Sequence, residues 1–425
     1  MTVDACVHSC ALHRESGSRT TVTIAAVNVL VVGSGGREHA LAWALARAGD
    51  AVELHAAPGN PGIAASAACH PARATDPASL VPLAIELDVD LVVVGPEAPL
   101  VAGLADELRR RGIPVFGPSA AAARIEGSKS FAKDVIEAAG VPTARVLDST
   151  RPPCVVKADG LAAGKGVWVC RTDAELDDAL RSAQALGQPF HVEELLEGPE
   201  VSVFAIADGE NAVVLPAARD YKRIGDGDLG PNTGGMGSFS PVPGAPDPDE
   251  IVETVHRPVL RELARRGAPF AGCLYAGLML TDRGPHVIEF NCRFGDPETQ
   301  SLLPRLGGGL LDLLAAAAAG ELKGVSPPAT EGAAVTVVIA SRAYPATGDS
   351  GTPIHGIREA EATGAFVFHA GTALQDGRLV TNGGRVLDVV GTGETLADAR
   401  AAAYTGVARI DFAGMQFRTD IAAHG

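Results

Sequence analysis

Short β-branched runs that stop at glycine and give way to helical repeats fill the start of the ordered sequence, and they leave little choice of architecture. Asn28–Val32 is such a run. Gly33-Ser34-Gly35-Gly36 ends it, and an apolar-periodic segment from about Arg37 to Ala48 follows. The pattern returns at Val52–His55. It returns again at Leu91–Val94, ahead of Gly95-Pro96-Glu97, a helix near Val101–Arg111 and a strand at Ile113–Phe116. Strands alternating with helices predict an α/β unit with a parallel, doubly wound sheet. Ligands of such sheets collect at the carboxyl ends of the strands. The loops that begin at Gly33, Pro58 and Gly95 all lie at such ends.

A second region opens with a helix from Lys129 through Ala139. Cys154–Lys157 and Val167–Cys170 read as strands around a glycine-rich loop, and Phe190–Glu194 with Val201–Ala207 as another pair. Past the polar, glycine-rich stretch 225–237, a helix near Ile251–Arg266 leads to strands Cys273–Leu280 and His286–Phe290. A Pro/Gly-containing junction at 324–333 precedes a last region that mixes short strands with one helix near Leu396–Ile410. Residues 1–26 read as an unstructured extension. Their Cys6, His8, Cys10 and His13 match no common zinc spacing, and translation is expected to start near Val22 or Val27.

Composition narrows the function classes. The 425 residues are 46% hydrophobic and 20% charged, which is ordinary for a chain with a large core. The formal net charge is −16 and no basic stripe alternates with aromatics, so nucleic acid is not an expected partner. No apolar run approaches the roughly 20 residues of a membrane helix, so no membrane is expected either. Seven cysteines in so long a chain do not make a disulfide scaffold, which points to a reducing, cytoplasmic setting.

The chemistry concentrates in a few places. Glu289 and Asn291 alternate with Phe290, so a strand there turns both toward one face, about 7 Å apart. Two oxygen donors on one face suit Mg²⁺; a plain strand-end carboxylate with Asn291 in a turn fits the same residues. Arg293 follows, and Asp296-Pro297-Glu298 reads as a helix start with a capping Asp. The loop Gly160-Leu161-Ala162-Ala163-Gly164-Lys165-Gly166 is one residue short of a Walker A loop and lacks its Ser or Thr. A glycine hairpin between strands can still close over phosphates with its N–H groups, and Lys157 can add a cation. The main chain of Glu193-Glu194-Leu195-Leu196 can meet an adenine edge and Glu200 a ribose, although spacing alone favours a run of solvated charges. Asp220-Tyr221-Lys222-Arg223 beside the loop Gly230–Gly237 suits an anionic substrate. Gly33–Gly36 is an anion site at a helix start but an incomplete dinucleotide fingerprint. His39, Cys273 and Cys292 read as packing residues.

In order, Gly33-Ser-Gly-Gly-Arg-Glu-His39, Pro58-Gly-Asn60, Gly95-Pro-Glu-Ala-Pro-Leu100, Gly127-Ser-Lys129, the lysine-glycine run 157–166, the loop 230–237 and Glu289-Phe-Asn-Cys-Arg-Phe-Gly-Asp-Pro-Glu-Thr-Gln300 closely resemble the phosphoribosylamine–glycine ligases of the ATP-grasp superfamily. The resemblance runs from about Asn28 to the C-terminus. It implies ligation of glycine to 5-phosphoribosylamine, with ATP as co-substrate, through a glycyl phosphate, in purine biosynthesis. It also implies a division into a phosphoribosylamine-binding α/β domain (27–128), an ATP-grasp α+β unit (129–325) with a small lid at about 143–207, and a mixed C-terminal domain (326–425). By carry-over, Lys129 and Lys157 would contact ATP phosphates under the lid loop with Gly160, Gly164, Lys165 and Gly166. Glu193, Glu194, Leu195 and Leu196 would hold adenine and Glu200 the ribose. Glu289 and Asn291 would bind Mg²⁺ or Mn²⁺. Gly33, Gly35, Gly36, Asn60, Gly95, Pro96 and Glu97 would hold phosphoribosylamine. Lys157, Asp220, Lys222 and Arg293, with Gly235, would lie near glycine and the reacting phosphoryl. A monomer is expected.

Two departures stand against the family pattern: the extension 1–26, and the connection Asp148–Pro153, where relatives carry an additional helix. Tyr221 also stands where many relatives have His. The shortened connection keeps a rival open, a nucleotide-binding homologue with impaired catalysis. A carboxylase-type ATP-grasp ligase would share the metal pair but not the 230–237 motif. A nicotinamide-dependent oxidoreductase would rest on the Gly33 loop alone.

Overall fold

The computed structural model describes residues 27–49, 52–160 and 166–423. The extension with its Cys and His residues, and the site residues Gly164 and Lys165, lie outside the described residues. The first unit is a five-stranded parallel sheet. Its order is Ala68–Cys69, Val52–Pro58, Val27–Gly33, Leu91–Val94, Val115–Phe116. Val27–Gly33 pairs with Val52–Pro58 on one side and Leu91–Val94 on the other. That makes its end the switch point of the sheet, where Gly33 and Gly95 meet. Leu30 and Val32 enter one hydrophobic core, Val29 and Val31 another, and all four are fully buried. Burial on both faces explains the unbroken apolar run. The helix expected over 101–111 is two short helices, Glu97–Val101 and Leu104–Arg109. Gly103 lies between them at φ +88°, a left-handed conformation that glycine adopts without strain.

The segment expected to be a lid is built on a three-stranded sheet of Val167–Cys170, Cys154–Ala158 and Phe190–Glu194. Helix Asp173–Ala185, missed in the sequence, packs on it through Leu176, Ala179 and Ala183. A capping box of Thr172 and Glu175 starts that helix. Strands 190–194 and 201–207, expected to pair, belong to different sheets. Glu200–Asp208 lies between Ala271–Thr281 and Ala212–Asp220. Gly198 separates the two; a Cβ there would lie 2.0 Å from the Leu280 carbonyl oxygen.

An eight-stranded sheet forms the backbone of the rest. Its order is Gly284–Asn291, Ala271–Thr281, Glu200–Asp208, Ala212–Asp220, Gly237–Ser240, Ala333–Ala340, Arg385–Gly393, Phe366–His369. Pairing of Gly237–Ser240 with Ala333–Ala340 carries it from the middle of the chain into the C-terminal part. Helix Leu396–Val407 covers strand Arg385–Gly393 through Ala399 and Ala403. The helix expected over 251–266 carries a π-turn at Val252–His256 before Arg257–Arg265. Pro258 stands at this junction and has no N–H to give the helix ladder. Among the described residues no helix is long and apolar enough to cross a membrane.

Candidate functional site

Strand Gly284–Asn291 carries a register shift against Ala271–Thr281 between the pairs Gly277↔Glu289 and Leu278↔Val287. Past this bulge the alternation holds: Phe290 is buried while Glu289 and Asn291 are half-buried on the other face. Glycine at 277 leaves Glu289 its room, since a Cβ there would lie 3.0 Å from Glu289 Cγ. Among the described residues no group of three or more His, Cys, Asp or Glu could hold a metal alone. One carboxylate and one amide oxygen therefore fit a cation that takes its other ligands from phosphates and water.

Arg293 is tied to the first unit. Its Nη2 lies 2.9 Å from Glu126 Oε1, and its Nε donates to Glu97 Oε2 at 3.3 Å. Nη2 also donates to Asn291 Oδ1 at 3.2 Å. Burial opposes the Arg293 charge, but the two carboxylates outweigh it and push its pKa up. Glu126, not singled out in the sequence, also accepts from Cys292 N at 2.7 Å. Burial raises its carboxyl despite Arg293. The cysteines flanking this strand do pack: Cys273 and Cys292 are buried, and burial pushes both thiols up.

Of the cations expected at phosphates, Lys157 and Lys129 have separate partners. Lys157 Nζ lies 2.7 Å from Glu193 Oε2 and donates to Ile288 O at 2.9 Å, beside Glu289. Lys133, another residue the sequence did not mark, meets Glu193 Oε1 at 2.8 Å. Burial would raise the Glu193 carboxyl, but the His191 hydrogen bond and the two ammonium groups hold it down at about 2. The Glu193 side chain is thus occupied in setting two lysines, and the adenine contact expected here concerns its main chain. Glu194 likewise spends its carboxylate on Arg145. Leu195 and Leu196 line a recess of about 300 Å³ with Glu197, Thr281, Asp282 and Arg283. Lys129 donates to Gly160 O at 3.1 Å, and its backbone N–H is held by Asp159. Ala158 N donates to Gly166 O at 2.8 Å, closing the base of the glycine hairpin.

Lys222 joins Glu200 at 2.7 Å and Asp220 at 2.9 Å. Burial raises the Asp220 carboxyl; for Lys222 burial pulls down, but Asp220 and Glu200 push its pKa well up. Glu298, buried nearby, is pushed up to about 7 by burial and then by Asp220. The 230–237 loop lies directly against these residues. Thr233 N donates to Lys222 O and Met236 N to Tyr221 O, both at 2.8 Å. Gly235 sits at φ +112°, and a Cβ on it would lie 2.4 Å from Pro297 Cδ. Tyr221 points elsewhere, its hydroxyl accepting from Ala422 N at 2.9 Å.

A cleft of about 690 Å³ runs between the first unit and the C-terminal part, lined by Ser34, Gly35, Asn60, Asp296, Asn382 and Arg385 among others. Glu38 fills much of the Gly33 loop. Its Oε2 accepts from Gly35 N at 2.6 Å, and Cβ atoms on Gly33 or Gly95 would lie 2.5 and 2.1 Å from its side chain. Part of the expected anion site is therefore met by the chain's own carboxylate. Pro96 starts helix Glu97–Val101 at this loop. Asn60 lines the cleft, but its amide donates to Ser34 O and His369 O and accepts from Gly62 N and Ile63 N. Asp296 is not the expected helix cap: helix Glu298–Leu302 has Pro297 at that position without a side-chain bond. Asp296 instead pairs with Arg385 at 2.9 Å. Gly36 abuts Asp388, whose Oδ2 would lie 1.8 Å from a Cβ there. His39 is structural, with Nδ1 accepting from His369 N at 2.8 Å.

Comparison with known proteins agrees along the chain. Residues 27–126, 127–299 and 334–424 match the family models described as the N, ATP-grasp (A) and C domains of phosphoribosylglycinamide synthetase. A phosphoribosylamine–glycine ligase of Streptomyces coelicolor is 54% identical over 416 residues, covering 93% of this chain and 99% of the relative. One of Mesorhizobium japonicum is 49% identical over 415 residues, covering 93% and 97%. The crystal structure of a phosphoribosylamine–glycine ligase from Thermotoga maritima superimposes with a TM-score of 0.81 at 36% identity, covering 93% of this chain and all of that one. The biotin carboxylase domain of a Hydrogenobacter thermophilus 2-oxoglutarate carboxylase shares the fold, with a TM-score of 0.68 at 18% identity.

Proposed function

The chain belongs to the phosphoribosylamine–glycine ligase family, and from that membership we propose how its residues divide the reaction. It is an ATP-dependent ligase of purine biosynthesis that joins glycine to 5-phosphoribosylamine. A carboxylate resists attack because oxide is a poor leaving group. A glycine carboxylate oxygen therefore attacks the γ-phosphorus of ATP, and the bond to ADP breaks. The phosphoribosylamine nitrogen then attacks the carbonyl of glycyl phosphate, the C–O bond to phosphate breaks, and the nitrogen loses a proton.

The chain contributes placement and charge. Lys129 and Lys157 bind ATP phosphates together with the glycine-rich segment 160–166, with Glu193 fixing the direction of Lys157. The main chain at 193–196 meets adenine and Glu200 the ribose. Glu289 and Asn291 hold Mg²⁺ or Mn²⁺, which when bound offsets phosphate charge. Asp220, Lys222 and Gly235 face glycine, and Arg293 orders the strand end behind them. Gly33, Gly35, Gly36, Asn60, Gly95, Pro96 and Glu97 bind phosphoribosylamine, and of these Gly35 and Asn60 line the cleft. Asn60 acts there by shaping the wall, since both of its amide atoms already have protein partners, while one Glu97 oxygen accepts from Arg293. The working division is 27–128, 129–325 with the lid at about 143–207, and 326–425. A monomer in the cytoplasm is the proposed state; the free thiols Cys69, Cys154, Cys170, Cys273 and Cys292 accord with that setting.

The observation that carries this reading is the Lys157 ammonium bonded to the carbonyl of Ile288, next to Glu289. It supports the reading because it joins Lys157 to the strand that carries Glu289. ADP release with ATP and phosphoribosylamine, with and without glycine, tests it. Dependence on glycine is expected; glycine-independent release refutes the reading, and no release from a folded protein refutes it in favour of the impaired homologue.

A further inference from the structure

Both backbone groups of Gly234 are held by side chains from the C-terminal part. Arg385 Nη1 donates to Gly234 O at 2.7 Å, and Gly234 N donates to the Tyr344 hydroxyl at 2.8 Å. The two side chains close on this peptide so tightly that a Cβ on Gly234 would lie 3.2 Å from Arg385 Cζ and from the Tyr344 hydroxyl oxygen. Each is itself set. Arg385 opens the last long strand of the eight-stranded sheet and also bonds Asp296, through its carbonyl and its carboxylate, both at 2.9 Å. The Tyr344 ring packs on the backbone of Gly384, where a Cβ would lie 2.4 Å from it. On its other side the loop is bonded to Tyr221 and Lys222. The peptide is thus held between the 220–222 segment and the start of strand Arg385–Gly393.

We infer that Arg385 and Tyr344 are positioning residues for the glycine subsite, acting through the Gly234 peptide. This rests on the reading that the 230–237 loop and Lys222 face glycine. It gives the C-terminal part a role in amino-acid binding besides walling the cleft. Loosening the peptide lets the loop move away from Asp220 and Lys222, so glycine binding suffers while the ATP phosphates, held by other strands, are untouched.

The test measures ADP release by the full chain and by Arg385→Gln, Arg385→Lys and Tyr344→Phe, varying glycine, ATP and phosphoribosylamine in turn. Wild-type dependence on glycine is established first, so a failure of the functional reading shows there and a failure of this inference shows only in the variants. Arg385→Gln is expected to raise the KM for glycine about tenfold, and Tyr344→Phe roughly threefold, from loss of a charged and a neutral hydrogen bond. The KM for ATP should stay within about twofold and Arg385→Lys should recover part of the loss. Unchanged glycine KM in folded variants, or an equal rise for all three substrates, overturns the inference. Should Arg385→Gln fail to fold, Tyr344→Phe, which removes only a hydroxyl, decides.

Discussion

Glu193→Gln is the sharpest test of how the nucleotide pocket is built. The carboxylate is 2% exposed and bonded to Lys133 at 2.8 Å, Lys157 at 2.7 Å and His191 at 3.0 Å. Its pKa of about 2 against an ordinary 4.5 corresponds to about 3 kcal/mol of preference for the ionised form. Because the folded pKa is lowered, this contribution is complete above about pH 4.5 and is lost as pH falls through about 2. At neutral pH the substitution leaves two buried ammonium groups without a counter-charge, which places the cost at about 3–5 kcal/mol. Urea unfolding at pH 7.5 should show that loss. The KM for ATP should rise about tenfold as Lys157 loses its orientation, one charge-assisted contact's worth. Adding Lys133→Met to Glu193→Gln should restore part of the stability, since one orphaned charge is removed with its partner. A Glu193→Gln protein within about 0.5 kcal/mol of wild type, with unchanged ATP KM, would refute the ion-pair account and return Glu193 to an adenine contact.

Other perturbations probe separate parts. Glu289→Gln should lower turnover by about a hundredfold or more while the thermal midpoint holds, through lost charge at the metal; near-normal turnover at limiting Mg²⁺ counts against the assignment. Asp388, buried beside Asp296, has its carboxyl pushed up to about 7, by burial first. A raised folded pKa means that the folded state binds the extra proton, so stability should fall as pH rises from about 4 to 7. Asp388→Asn should flatten that slope in thermal unfolding; an unaltered slope refutes it. Gly36→Ala, which meets Asp388 Oδ2, should cost about 1–3 kcal/mol by overpacking where the first unit touches the C-terminal part, read as a lower melting midpoint.

The glycine loops, the strands that carry them and the pair Glu289/Asn291 were legible in the sequence because each depends on local spacing. The partners of those residues were not. Nothing in the run around Phe190–Glu194 says that Glu193 turns inward to Lys133 and Lys157, since the pairing joins two strands and a helix far apart in sequence. Glu126 and Lys133 lie close in sequence to the marked Lys129, within helical segments on either side of Ser128, and that proximity was the available signal. Asp296 looked like a cap because Asp-Pro commonly is one; the distant Arg385 claims its carboxylate instead. Strand Ala212–Asp220 and helix Asp173–Ala185 were missed for a different reason. The strand contains Pro216 and three alanines, and the helix is mostly polar and exposed on a small lid, so neither repeats hydrophobic residues clearly.

The central claim is that glycine's own carboxylate oxygen is phosphorylated before the amine attacks. Glycine labelled with ¹⁸O in both carboxylate oxygens tests it directly, by mass spectrometry of the phosphate released during ligation. The account predicts that each inorganic phosphate carries one ¹⁸O from glycine and that the amide product keeps the other. Unlabelled phosphate formed together with glycinamide ribonucleotide would contradict it.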